Sequence, residues 1–127
     1  MTTWVAVLVG GAFGSVARHG VNIVTARVLG APSPWSTAVV NMIGSVAIGV
    51  LAGALAGNHL SMSRPAQAFV LVGILGGFTT FSSFMLDSMT LMQMEGARSA
   101  AVNLIGQLIA GVALTYAGYQ IGLRLPT

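Results

Sequence analysis

The sequence predicts an all-α membrane protein of four transmembrane helices, the third broken near its middle. Composition comes first: hydrophobic residues make up 55% of 127 and charged residues 6%, against roughly 25% charged in soluble domains. Mean hydropathy is +0.88. Second, the apolar residues fall into four stretches, each long enough for the roughly 20 residues that cross a bilayer as a helix. Third, the run Gly73-Ile-Leu-Gly-Gly-Phe-Thr-Thr-Phe-Ser-Ser-Phe84 sets two adjacent glycines and four hydroxyls inside an apolar stretch. Backbone that leaves the helix at membrane depth must be buried in protein or line a cavity.

The first span, 4–28, carries Gly11, Ser15, Arg18, Asn22 and Thr25 at alternating spacings of four and three. They form one small-and-polar stripe that faces a partner or water rather than lipid. Arg18 lies well inside the span. It is either a structural arginine that snorkels to the nearer interface or a fixed positive charge at an aqueous vestibule. After a Gly-Pro-rich loop the second span, 35–56, aligns Thr37, Asn41 and Ser45 on one line. Asn41 is either interhelical glue or an amide donor to a permeating anion. Gly49, Gly53 and Gly57 repeat every fourth residue as a close-packing face.

A second loop, 57–65, leads to the third span, 66–94. There Gly76 and Gly77 are expected to permit dihedrals that leave carbonyls without helical partners, able to coordinate a cation such as Na+; the bland alternative is a packed kink. Phe81 and Phe84 share one face of the following half-helix, the usual pattern of a core pair. Aromatic rings also carry positive edges that solvate an anion weakly. Asp87 follows one turn later, as a buried acid facing a polar vestibule or as the partner of an arginine. A turn at 94–97 precedes the fourth span, 98–123. Asn103, Gln107 and Gly111 lie on one face of it, as interhelical hydrogen-bond partners or as a polar track beside the phenylalanines. Tyr116 and Tyr119 suit an interfacial anchor.

These spans leave no room for a soluble domain, and the first helix is expected to serve as its own insertion signal. The absence of cysteine removes thiolate metal sites, disulfides and a cysteine nucleophile. The pI near 10.8 rests on five scattered arginines, so nucleic acid is not an expected partner. The carboxylates Asp87 and Glu95 and the histidines His19 and His59 have no spacing suited to acid-base or metal chemistry, and an enzyme is not expected.

Three motifs together resemble the Fluc (CrcB) fluoride channels along nearly the whole chain. Gly10-Gly-Ala-Phe-Gly-Ser-Val-Ala-Arg18 is similar to the family's first-helix pattern, and Ser36-Thr-Ala-Val-Val-Asn-Met-Ile-Gly-Ser45 to its second-helix motif. Gly76-Gly-Phe-Thr-Thr-Phe-Ser-Ser-Phe84 resembles the third-helix signature. The resemblance implies a multi-pass protein of the plasma or inner membrane, working as a dual-topology antiparallel homodimer that exports fluoride passively. It also implies a structural Na+ on the dimer axis, held by the carbonyls of Gly76 and Thr79 from each subunit. Phe81, Phe84, Asn41, Ser82 and Ser83 would line the path, with Arg18 as the vestibule cation. The family's fourth helix usually carries hydroxyls, where this chain has Asn103, Gln107 and Gly111. The rival reading is a small proton-coupled multidrug-type transporter; such a carrier needs a titratable group, and Asp87 is the only carboxylate within a span.

Overall fold

The computed structural model describes residues 2–30 and 34–126. Its helices are α1 (Thr2–Leu29), α2 (Trp35–Ala56), α3 (Arg64–Gln67), a π-helical segment (Ala68–Leu75), α4 (Gly76–Phe78), α5 (Phe81–Met94) and α6 (Ala97–Gly122). α3 through α5 form one interrupted span, so among the described residues four helical runs are long and apolar enough to cross a membrane. Those runs are Thr2–Leu29, Trp35–Ala56, Arg64–Met94 and Ala97–Gly122.

Glycine decides how these runs pack. Parallel to α1 lies the first half of the third span: a Cβ on Gly10 would strike Phe69 O, and one on Gly14 would strike Ile74 O. Across the same contact a Cβ on Gly77 would stand 2.7 Å from Gly11 O. A second seam joins α2 to α6, also parallel. Gly49 and Gly53 lie against the carbonyls of Thr115 and Tyr119, and Gly118 and Gly122 lie against those of Val46 and Val50. Small residues at four-residue spacing thus bring backbones together where apolar burial gives no drive in lipid. The expected glycine face on α2 holds at Gly49 and Gly53. Gly57 lies just past the helix and meets the His59 ring instead.

The connections are closed locally. α2 ends with Asn58 in the left-handed region (φ 56°), and His59 N–H returns to Ala54 O at 2.9 Å. The His59 Nε2 donates to Leu123 O at 3.0 Å, tying the ends of α2 and α6 together. Ser63 caps α3, its hydroxyl accepting from Ala66 N–H. At the turn into α6, Gly96 has φ 99°, a conformation that L side chains rarely adopt.

Two features of the third span depart from expectation. The π-helical stretch has no mark in the sequence; its wider turns lie where the α1 backbone touches Phe69, Gly73 and Ile74. The break is also displaced from the glycine pair. Gly76 has φ −65° and ψ −35° and begins α4, whereas Thr79 (φ −77°, ψ 161°) and Thr80 (φ −151°, ψ 119°) are extended. Gly77 is a close-approach residue pressed against Gly11 rather than a hinge.

Candidate functional site

The break is made by hydroxyl and amide chemistry. Thr80 caps α5, its Oγ1 accepting from Ser83 N–H at 3.2 Å. It is the acceptor expected of a threonine at an N-cap. Thr80 N–H, which in a continued helix would close onto Gly76 O, goes to Asn41 Oδ1 at 3.0 Å. In return Asn41 Nδ2 donates to Thr80 O at 3.2 Å. One side-chain amide on α2 thus replaces the helical bonds of an extended residue 39 positions away. Buried backbone polar groups must find such partners at membrane depth.

Around this clamp the two phenylalanines are set edge to face, with ring centroids 6.2 Å apart and planes at 74°. Phe81 is 74% exposed and Phe84 half-buried. Asn41, Phe81, Phe84 and Gln107 line one cleft of about 580 Å³, with Ser45 and Tyr116 also on its wall. A smaller cleft, about 360 Å³, is lined by Asn41, Gly76, Thr79, Thr80 and both phenylalanines. Phe81, Phe84 and Asn41 therefore line both clefts.

α6 extends the polar line. Asn41 Nδ2 also donates to Gln107 Oε1 at 3.2 Å, Gln107 Nε2 to Asn103 Oδ1 at 2.9 Å, and Asn103 Nδ2 to Ser88 Oγ at 2.9 Å. Asn103 and Gln107 also line a third cleft, of about 790 Å³, whose rim carries Glu95 and Arg98. Gly111 lies beside Ser45, where a Cβ would stand 3.5 Å from the hydroxyl, an ordinary contact.

The remaining candidates are placed less centrally. Ser83 is bonded to Thr80 Oγ1 at 3.1 Å, and Ser82 is exposed, 3.4 Å from that oxygen. Arg18 is half-buried on α1, a helix that touches neither α5 nor α6 among the described residues, so one subunit does not bring it to the cleft. Gly76 O and Thr79 O both lack the donor four residues on. Thr80 N–H is taken by Asn41, and Ser83 N–H by the Thr80 hydroxyl.

Two functional groups escape a reading of sequence alone. Thr80 looks like one of four equivalent hydroxyls, although a threonine three residues before a helical serine is the available sign of a cap. Ser88 is 5% exposed and joins the amide line, but nothing in its sequence neighbours announces that partner.

Comparison with known proteins adds to this geometry. A family model described as CrcB-like protein, Camphor Resistance (CrcB), matches residues 5–119. A fluoride-specific ion channel FluC of Nitrobacter winogradskyi is 44% identical over 116 residues, covering 91% of each chain. Those of Paracoccus denitrificans and Thermus thermophilus are 42% and 39% identical, with at least 96% of each chain covered.

Proposed function

This chain belongs to the CrcB family, and we infer from that membership that it is a fluoride-selective ion channel of the membrane. It is a channel and not an enzyme, and the family gives no support to a proton-coupled carrier. Export is passive: a monovalent anion leaving a compartment that is negative inside gains about 2.3 kcal/mol per 100 mV.

One feature carries the mechanism most directly: Asn41 clamps the break at Thr80 beside two phenylalanine rings held edge to face. Fluoride is small and strongly hydrated, so its water must be replaced by several donors at once. Asn41, Gln107 and Asn103 supply amide protons, Ser82 and Ser83 hydroxyls, and Phe81 and Phe84 the positive edges of their rings. Larger chloride gains less from such donors and fits worse between them. Arg18 would act at a distance, raising the local anion concentration.

The assembly we propose is an antiparallel homodimer. Beside the exposed Gly76, the carbonyls of Gly76 and Thr79 lack their helical donors, polar groups that lipid would not satisfy and a second copy would cover. Arg98 lines a cleft with Pro34 and Trp35, which puts it at the first-loop end with Arg27. Arg124 follows Leu123, whose carbonyl meets His59 in the second loop, the loop that carries Arg64. Two arginines against two leave orientation undecided, as dual topology requires. Across such a dimer's axis, Gly76 O and Thr79 O from both subunits fit a Na+, hard oxygen donors lacking their helical partners. The ion would supply a fixed positive charge that neutralises those carbonyl dipoles.

Purified protein in liposomes, followed with a fluoride electrode, should release fluoride electrogenically and chloride about a hundredfold more slowly or less. Equal fluxes of the two anions would remove the selectivity, and no flux would remove the channel.

A further inference from the structure

The amide line has only one direction. Thr80 N–H can only donate, so the Asn41 atom facing it at 3.0 Å is Oδ1. Both Nδ2 protons then go to Thr80 O and Gln107 Oε1. Gln107 must accept from Asn41 and give Nε2 to Asn103, which gives Nδ2 to Ser88. Ser88 has one hydroxyl proton and donates it to Phe84 O at 2.8 Å. Both ends of the line are backbone groups with fixed roles. In this state Asn41 has no free proton, and Gln107 turns a carbonyl oxygen toward it. An anion arriving there meets a lone pair.

We propose that Gln107, Asn103 and Ser88 form a relay that an anion reverses, and that Gln107 sets selectivity by changing from acceptor to donor; the proposal rests on the channel reading above. The Asn41–Thr80 pair is held at two points, so the bond to Gln107 is the one that yields. With fluoride between Asn41 and Gln107, the Gln107 amide turns over and donates Nε2 to the ion. Its Oε1 then faces Asn103, which turns in its place, giving Nδ2 to Gln107 and accepting the Ser88 hydroxyl on Oδ1. Ser88 releases Phe84 O, a carbonyl inside α5 that keeps its backbone donor.

The exchange balances bond by bond. Asn41 to Gln107 and Ser88 to Phe84 O are given up, and the two inner bonds are re-made in the opposite sense. Two charge-assisted bonds to the ion are gained, each roughly twice as strong as a neutral one. A small anion with concentrated charge repays the inversion. Every anion must part Asn41 from Gln107, which stand 3.2 Å apart at rest, and a larger one must part them further and gains less from each donor.

Side-chain amide spectra of the intact protein in lipid nanodiscs, labelled with 15N and titrated with sodium fluoride against sodium chloride, test this. Asn41, Gln107 and Asn103 should move together along one fluoride curve and stay still in chloride. Movement of Asn41 alone overturns the relay. Movement of none also overturns it, and liposome flux on the same sample separates the two readings: flux present leaves the channel standing, flux absent removes both. In a second arm, Asn103→Leu removes the group that must receive the inverted Gln107 and should lower fluoride flux about tenfold or more. Asn103→Gln, which keeps a donor and an acceptor, should recover most of that loss. Equal flux in Asn103→Leu and the parent chain, or a loss that Asn103→Gln fails to recover, would overturn the proposal.

Discussion

Replacing Asn41 with aspartate separates the clamp from the conduction path. The aspartate retains an acceptor for Thr80 N–H, the 3.0 Å bond that holds the break. It loses both donor bonds, to Thr80 O and to Gln107 Oε1. An anion at the position of that oxygen would lie 3.2 Å from the new carboxylate. At an effective dielectric of about 20, two like charges at that separation repel by about 5 kcal/mol. A barrier raised by that amount slows passage more than about a thousandfold. Asn41→Leu differs in kind: three hydrogen bonds vanish, at about 1 kcal/mol each, and the main loss is about 3 kcal/mol of stability. Fluoride efflux from liposomes, read beside a thermal melt of the same preparation, distinguishes them. Asn41→Asp should melt higher than Asn41→Leu and conduct nothing measurable. Parent-like flux in Asn41→Asp would refute the placement of Asn41 on the path.

Phe81→Ile removes one ring of the edge-to-face pair and should cut fluoride flux severely while the protein purifies in the same oligomeric state; unchanged flux would make Phe81 a packing residue. Gly122→Ala drives a Cβ onto Val50 O, with Ala54 N only 2.7 Å away. It should destabilise by about 1–3 kcal/mol in a reversible unfolding measurement, as overpacking does. Thr79→Ala keeps the carbonyl and should leave a dyad Na+ in place, to be seen as a peak in a dimer structure determined with Na+ present. Two or three lysines added to one loop should force a single orientation and abolish activity, which returns when oppositely biased variants are expressed together. A terminal reporter that finds one orientation in the unmodified chain would end the dual-topology proposal.

The sequence by itself determined the spans, because twenty apolar residues answer to bilayer thickness and to little else. It also determined the order of polar residues along each helix, and so the faces on which Asn41, Phe81, Phe84, Asn103 and Gln107 lie. Tertiary structure alone decided where the third span breaks. Gly76 and Gly77 are the residues most free to leave the helix, yet α1 presses on Gly77 and both stay helical. Thr79 and Thr80 open instead, because Asn41 on α2 offers Thr80 N–H and C=O the partners that a helix would otherwise provide. The capping preference of Thr80 marks a possible helix start, but it does not supply the partner on α2 that holds the break open. The same holds for Ser88: its hydroxyl joins the amide line because α5 and α6 cross at Asn103. Propensity acts within a few residues, whereas a hydrogen bond across helices depends on which backbones the glycine seams allow to meet.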